Sequence, residues 1–257
     1  MTLEFLTADA LSPLRHGFFT RKGGASSGVF AGLNCGTGSS DQSDIVMINR
    51  ERVAHAVGVR TPALQSVHQT HSATAVTLKD HTRSSVPADA MVTDRPGLAL
   101  AILTADCQPV LFADHAAGVI GAAHAGWRGA LDGVLEATLA AMVELGARVG
   151  SISAVIGPAI SQSAYEVGPE FMDRFLDADP ANSRFFAGAK DDRVQFDLPG
   201  YGLYRLRAWK TGRSGSSGCA RPVSGTPNGP DTALTVTQSG FSRTVGRCIA
   251  MKRITAG

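Results

Sequence analysis

The chain is 257 residues long, with 44% hydrophobic and 18% charged residues and a formal net charge of only +2. This composition is ordinary for a soluble globular protein of one large or two small domains. No apolar run approaches the length of a membrane span, and the N-terminus lacks the basic start and apolar core of a signal peptide. Four cysteines in so long a chain do not indicate a disulfide framework, so we expect a cytoplasmic protein.

The first part of the chain alternates predicted strands with a loop and a helix. A strand is predicted over 17–20, and the loop RKGGASSGVFAGLNCG follows it. The backbone amides of this loop, with Arg21, can hold an anion, although a plain connecting loop is the alternative because no Walker or GxGxxG spacing is present. Helical spacing of apolar residues predicts a helix over 44–57, and strands over 64–67 and 73–78 flank the segment HQTH.

The central stretch TADCQPVLFADHAAGVIGAAHAGWRG lies among further strands. A continuous apolar run over 98–103 predicts a strand buried on both faces, and shorter runs predict strands over 109–112 and 118–123. Helical periodicity then predicts a helix over 130–145, capped by Gly146. A strand over 152–156 and a helix over 169–176 follow. Interleaved strands and helices predict an α/β fold with mixed sheets.

Reactive side chains lie at the ends of these predicted strands. Cys107 follows the first apolar strand, and His124 ends the third. Residues three apart on an extended chain point to opposite faces, so we expect only one of His68 and His71 to join them. One cysteine and two histidines suit Zn²⁺, and three protein ligands leave the open position that is typical of catalytic zinc.

Two other readings of Cys107 and His124 stay open at this point. In the first, the stretch is a structural hairpin in which the thiol is buried and the histidine is hydrogen-bonded, with no catalytic role for either. This is common because cysteine often behaves as a small core residue. A cysteine hydrolase would use Cys107 as the nucleophile and His124 as the base. Arg128 follows His124 near a predicted helix N-terminus, a position that favours an anion such as phosphate.

Several segments together resemble one known family. They are TRKGGASSGVFAGLNCG, VHQTHS, ADAMVTDRPG, LTADCQPVLF, AAHAGWRG and IGPAISQSAYEVG, and they cover most of residues 17–170. In these segments the chain is similar to the laccase-domain, or polyphenol oxidase, family, whose members have been reassigned as purine nucleoside phosphorylases. The resemblance implies a single-domain four-layer α/β/β/α sandwich. It also implies zinc-dependent phosphorolysis of adenosine, inosine and S-methyl-5'-thioadenosine, with adenosine deamination as a side activity.

The resemblance also implies which residues carry the site. The metal ligands and catalytic residues would be His71, Cys107 and His124, and substrate or phosphate contacts would come from Arg21, Asn34 and Arg128. The implied partners are purine nucleosides and phosphate, with no nucleic acid or membrane, and the implied assembly is a monomer or homodimer. Copper is the less favoured metal. A laccase-type oxidase is the alternative function, but the seven histidines include no His-x-His pair of the kind that multicopper sites use.

The end of the chain departs from this family. Members end in a segment similar to GHCTYSDPxRFFSYRR, whereas this chain reads PDTALTVTQSGFSRTVGRCIAMKRITAG. If each codon is read from its third base, the genetic code permits Gly-His-Cys-Thr-Tyr-Ser-Asp-Pro from Pro230 onward, and then Val-Arg-Phe-Phe-Ser-Tyr-Arg-Arg. We therefore predict a phosphorylase domain over 1–209 and a frameshifted, poorly packed tail over 210–257. The basic character of this tail is then no sign of nucleic-acid binding.

Overall fold

The computed structural model describes residues 2–80, 87–190, 192–211 and 247–252. Within these ranges the strands are β1 (Phe5–Leu6), β2 (Arg15–Phe19), β3 (Leu64–Gln65), β4 (Ala75–Thr77), β5 (Ala90–Thr93), β6 (Ala99–Thr104), β7 (Gln108–Asp114), β8 (Val119–Ala125), β9 (Ser153–Ile156), β10 (Glu166–Val167), β11 (Phe186–Lys190), β12 (Arg193–Phe196) and β13 (Arg247–Lys252). The α-helices are α1 (Ser43–Ala56), α2 (Trp127–Asp132), α3 (Val134–Glu144), α4 (Pro169–Ala178) and α5 (Leu198–Lys210). No helix in these ranges is both long enough and apolar enough to cross a membrane.

Two five-stranded mixed sheets form the middle of the molecule. Their strand orders are β1-β2-β13-β6-β3 and β4-β5-β8-β7-β9, and a three-stranded sheet, β10-β12-β11, lies beside the helices. Side chains alternate between the two faces of each strand. Because each of the two sheets is covered on both faces, the central strands bury residues on both sides. Leu100 and Ile102 of β6, for example, face the second sheet, while Ala99 and Ala101 face α1.

Three apolar clusters separate four layers. The first lies between α1 and the first sheet, and the second lies between the two sheets. The third lies between the second sheet and the helices α3 and α5, where Val110 and Phe112 pack with Leu139 and Leu206. This is the α/β/β/α sandwich, and the predicted fold class is confirmed.

The helix predicted over 130–145 is in fact two helices. α2 ends and α3 begins at Gly133, whose φ of 104° is in the left-handed region that favours glycine. The break leaves carbonyl groups of α2 without helical partners, and the Arg205 guanidinium of α5 donates to the carbonyls of Ala130 and Leu131 at 3.0 Å each. The prediction missed the break because apolar periodicity continues across it.

Substitution of Gly133 should show the cost of this break. Gly133→Ala is expected to lower the free energy of unfolding by about 1–2 kcal/mol, because a Cβ strains the left-handed conformation. The nearest atoms to that Cβ would be 3.6 Å away, so no collision adds to the strain. Urea unfolding measures the change. Gly150→Ala, with no atom within 4 Å and no positive φ, is the neutral control. Equal stabilities of the two variants would contradict this explanation.

The expectation of a poorly packed tail is wrong for the described segment Arg247–Lys252. β13 lies between β2 and β6 and pairs antiparallel with both. Ile249 and Met251 are buried between the sheets, and the small Ala250 is buried towards α1. This alternation fits a central strand, which needs an apolar side chain on each face. Residues 212–246 lie outside the described residues, and the frame change stays a prediction that resequencing of the gene would test.

One edge of the sandwich collects the strand ends next to the candidate ligands. β13 is antiparallel to both neighbours, so β2 and β6 run in the same direction and end at the same edge. β8 ends and β7 begins together, because Ala125 pairs with Gln108, and β5 begins beside them. Cys107 lies in the connection from β6 to β7, which crosses from the first sheet to the second at this edge.

Candidate metal centre

Three predicted ligands meet at this edge. One ligand atom from each of His71, Cys107 and His124 lies within 4.8 Å of the others. The Cys107 Sγ and His71 Nε2 atoms are 3.7 Å apart, close to the separation of about 3.6 Å that tetrahedral zinc with ordinary Zn–S and Zn–N bonds would give. His124 is buried, Cys107 is partly exposed and His71 is exposed. The group can therefore bind a metal ion that solvent or substrate reaches from one side.

Cys107 is held in the tight turn between β6 and β7. The Thr104 hydroxyl, at the end of β6, donates to the Cys107 carbonyl. The Ile160 N–H donates to the Asp106 carbonyl at 2.9 Å, which ties the turn to the segment after β9. These contacts hold the backbone that carries the thiol.

His71 lies in a loop that is fastened to both sheets. The Gln69 side chain pairs with the Leu103 backbone, donating to its carbonyl at 2.7 Å and accepting from its N–H at 2.8 Å. The Asp89 carboxylate accepts from the N–H groups of Thr70 and His71 at 3.0 Å each. His71 has a φ of 59°, which is uncommon for a residue with a side chain and needs such support.

His124 is the most enclosed ligand. Its position near the end of β8 places it opposite Pro109 of β7, and its backbone N–H donates to the Asp89 carbonyl at 2.7 Å. Its ring Nδ1 is 2.8 Å from Asp89 Oδ1, so Nδ1 carries the proton and donates. Nε2 is then the nitrogen that can bind a metal, the arrangement that outer-shell carboxylates impose on metal-binding histidines.

The charges at the site are strongly coupled. Burial alone would lower the pKa of His124, but the hydrogen bond to Asp89 and the nearby Cys107 outweigh it and raise the pKa to about 9. Burial would raise the pKa of Asp89, but hydrogen bonds from His124, Ser72 and Thr70 hold it far below its usual value. Partial burial and the neighbouring His124 lower the pKa of His71. Without metal, His124 and Asp89 thus form a buried ion pair at neutral pH.

The raised pKa of His124 predicts pH-dependent metal binding. A metal binds the neutral imidazole and must displace the proton that His124 carries below a pH of about 9. Affinity should therefore rise as the pH rises from 6.5 towards 9, by about tenfold per pH unit for each proton that metal binding releases. Competition with a chelator of known pH dependence measures this slope. A dissociation constant that is the same at pH 6.5 and pH 8.5 would contradict the prediction.

Arg128 is the predicted anion contact that lies beside the ligands. It is exposed on α2, and its guanidinium carbon is 5.3 Å from the centroid of the Trp127 ring. Burial and the charge of His124 lower the pKa of His71 most, the negative charge of Asp89 opposes them, and the positive charge of Arg128 lowers it further. The side chain is therefore near the metal ligands and faces solvent, where an anion can reach it.

Arg21 and Asn34 lie at the same edge but outside the ligand group. Arg21 follows β2, which is two strand spacings, or about 10 Å, from β6. Its guanidinium donates to the Ala31 carbonyl at 2.7 Å. The amide of the buried Asn34 donates to Ser39 at 3.0 Å and to Asp41 at 2.9 Å. These contacts hold the Gly-rich loop together, and a role of Arg21 and Asn34 in substrate binding stays a prediction.

Three residues at the site received no role from the sequence. Asp89 contacts His124 and the His71 backbone, Gln69 contacts Leu103 beside them, and Gly126 leaves room for the ligands. A Cβ on Gly126 would lie 2.7 Å from His71 Cδ2 and 3.1 Å from Cys107 Sγ. The sequence held one indication of a role for Asp89, which is a carboxylate directly before the apolar residues of β5. Nothing in the sequence indicated a role for Gly126 or Gln69 apart from their places in AAHAGWRG and VHQTHS.

Comparison with known proteins shows which family the chain resembles. Residues 15–215 match the family described as multi-copper polyphenol oxidoreductase laccase. A Deinococcus radiodurans protein named purine nucleoside phosphorylase is 39% identical over 206 residues, covering 76% of this chain and 78% of that protein. A Corynebacterium glutamicum protein of the same name is 44% identical over 170 residues, covering 65% and 68%.

Solved structures share the fold. A Neisseria meningitidis protein superposes with a TM-score of 0.78 and 28% identity over 100% of both chains. YlmD from Geobacillus stearothermophilus superposes with a TM-score of 0.82 and 24% identity, covering 98% of this chain and 96% of its own. Both superpositions cover almost the whole chain, so these two proteins share its layered fold.

Proposed function

The chain belongs to the multi-copper polyphenol oxidoreductase laccase family, and from this premise we propose that it is a zinc-dependent purine nucleoside phosphorylase. The observation that carries the proposal is the open group of His71, Cys107 and His124 beside the exposed Arg128. The names of the relatives supply the reaction. A cytoplasmic setting and a monomer or homodimer belong to the same proposal.

The donor set favours zinc over a copper cluster. One thiolate and two imidazoles with an open fourth position are typical of a catalytic zinc site. A multicopper oxidase needs several metal sites. Among the described residues, His71, Cys107 and His124 are the one group of three or more potential ligands that are close enough to bind a metal. This single group is what favours one zinc over a copper cluster in the proposed function.

The substrates proposed are adenosine, inosine and S-methyl-5'-thioadenosine, together with phosphate. In phosphorolysis a phosphate oxygen bonds to the ribose carbon while the bond from that carbon to the purine nitrogen breaks. The Arg128 guanidinium can hold the phosphate and orient its oxygen, because it binds oxyanions through two parallel hydrogen bonds. When bound, zinc supplies a Lewis acid at the ligand group. Deamination of adenosine, in which water replaces the amine, is the proposed side activity.

A cysteine hydrolase is the second candidate, and one contact favours it. His124 lies between Asp89, at 2.8 Å from its Nδ1, and Cys107, within the same 4.8 Å group. A thiol, an imidazole and a carboxylate in this order resemble the nucleophile, base and orienting acid of cysteine hydrolases. The same order also suits a zinc site, so metal content separates the two functions.

The test combines metal analysis with an assay on the purified full chain. About one zinc per chain and phosphate-dependent release of base from adenosine and inosine would support the phosphorylase. Several coppers per chain with oxidation of phenols would support the oxidase. A metal-free protein whose thiol reacts rapidly with an alkylating agent would support the hydrolase. Undiminished phosphorolysis after complete removal of metal would overturn the proposal.

Arg128 provides a prediction specific to phosphorolysis. Arg128→Ala is expected to raise the KM for phosphate about tenfold or more, since a hydrogen bond to a charged group contributes about 1.5–3 kcal/mol. The KM for the nucleoside should change less. Arg184→Ala is a matched control, because Arg184 is also exposed and also stacks on aromatic rings, those of Phe185 and Tyr204. Equal effects of the two substitutions would show that Arg128 has no specific role.

A further inference from the structure

We propose that Asp89 is a positioning residue that sets the geometry of both histidine ligands at once. Its side chain is fully buried at the start of β5, and it is not itself part of the ligand group. The inference rests on the proposed metal centre, but not on the identity of the substrate. Its consequence is that two of the three ligands depend on one carboxylate.

The carboxylate accepts five hydrogen bonds. Oδ1 accepts from the His71 N–H at 3.0 Å and lies 2.8 Å from His124 Nδ1. Oδ2 accepts from the Thr70 N–H at 3.0 Å, from the Ser72 N–H at 2.6 Å and from the Ser72 hydroxyl at 2.8 Å. The same atom, Oδ1, thus contacts the backbone of one ligand and the ring of the other.

These contacts set two different properties of the ligands. Three consecutive backbone N–H groups bound to one side chain hold the loop with His71 in its left-handed conformation, with a φ of 59°. The contact with His124 keeps a proton on Nδ1, so Nε2 is the nitrogen through which His124 can bind a metal. Loop shape and imidazole tautomer are both conditions for a metal site, because ligands bind only in the correct place and protonation state.

The isosteric amide disturbs at least one of these conditions whichever way it is oriented. Asp89→Asn keeps the shape but has a single acceptor oxygen, and its NH₂ group can only donate. If the oxygen stays with Thr70 and Ser72, the NH₂ group faces His124 Nδ1, which must then accept. The His124 proton then prefers Nε2, so metal binding through that nitrogen requires an unfavourable contact between the Nδ1 proton and the NH₂ group. If the amide turns over, the NH₂ group faces the N–H groups of Thr70 and Ser72, and the loop loses its support.

The experiment compares metal affinity in two isosteric variants. Asp89→Asn should weaken zinc binding by about 10–100-fold, the effect typical of outer-shell partners. Asp114→Asn is the matched control. Asp114 is also buried and accepts backbone N–H groups, from Ala117 at 3.1 Å and Arg148 at 2.8 Å, but at the far end of β7. Its variant should bind zinc as the wild type does. A folded Asp89→Asn protein with an unchanged dissociation constant would overturn the proposal.

A measurement on the wild type keeps the proposal testable if Asp89→Asn does not fold. In the zinc-loaded protein labelled with ¹⁵N-histidine, NMR should show His124 protonated at Nδ1 and bound to metal through Nε2. Metal at Nδ1 would refute the positioning role. Neither readout involves nucleosides, so a protein that binds zinc as predicted but lacks phosphorolysis would contradict the proposed function and leave this inference standing.

Discussion

Cys107→Ala is expected to abolish both metal binding and phosphorolysis. The thiolate is the one sulfur ligand in the group, and without it only His71 and His124 remain, too few for a stable zinc site. Loss of an outer-shell partner alone costs about 10–100-fold in metal affinity, so loss of a ligand should cost at least about 100-fold. Metal analysis after dialysis, followed by the nucleoside assay, measures both losses.

Matched substitutions separate loss of a ligand from loss of stability. Cys35→Ala removes a fully buried thiol that packs near α1, and it should lower stability without lowering zinc content. His68→Ala should also retain zinc, whereas His71→Ala, in the same HQTH segment, should lose it. Full phosphorolysis by a metal-free Cys107→Ala protein would refute the zinc mechanism. Equal zinc content in the two histidine variants would refute the choice of His71.

Gly126→Ala is expected to damage the metal site while leaving the fold intact. The φ and ψ of Gly126, −66° and 164°, suit alanine, so no backbone strain arises. The added Cβ, however, would lie 2.7 Å from His71 Cδ2 and 3.1 Å from Cys107 Sγ. One methyl group must therefore displace a metal ligand. We expect at least about tenfold weaker zinc binding and about 100-fold slower phosphorolysis, the loss that a displacement of about 1 Å can cause.

The control for this substitution is Gly38→Ala, where no atom lies within 4 Å of the added Cβ and no positive φ is involved. It should change neither zinc affinity nor activity. Unfolding curves of both variants should stay close to that of the wild type, since neither substitution strains the backbone. Wild-type zinc affinity in Gly126→Ala would show that His71 and Cys107 move aside freely, and would contradict the rigid placement inferred from Gln69 and Asp89.

Local patterns predicted many of the strands and helices between residues 17 and 178, and the one helix they misjudged shows what they lack. The strand predicted over 98–103 and the helix over 44–57 agree with β6 and α1, because burial on both faces and a one-sided apolar stripe leave distinct patterns. The helix over 130–145 was predicted without its break at Gly133, since α2 and α3 both contribute apolar residues to one core cluster. The carbonyls exposed by that break find their donor in Arg205, a residue of α5 far along the chain.

The sequence pattern by itself determined the interleaving of strands with helices and the chemical types of the candidate ligands, whereas the four layers were implied by the family resemblance. The spacing of apolar residues depends only on which side chains avoid water, so it can be read from the sequence. The chemical types of sulfur and imidazole donors can likewise be read without knowing where the fold places them. The family resemblance selected His71 over His68, and only the tertiary structure showed why Gly126 must be small and what holds the site. Asp89 and His124 are separated by 35 residues, and they meet because β5 and β8 are neighbours in a sheet. Such contacts depend on strand order and register, which no local pattern contains.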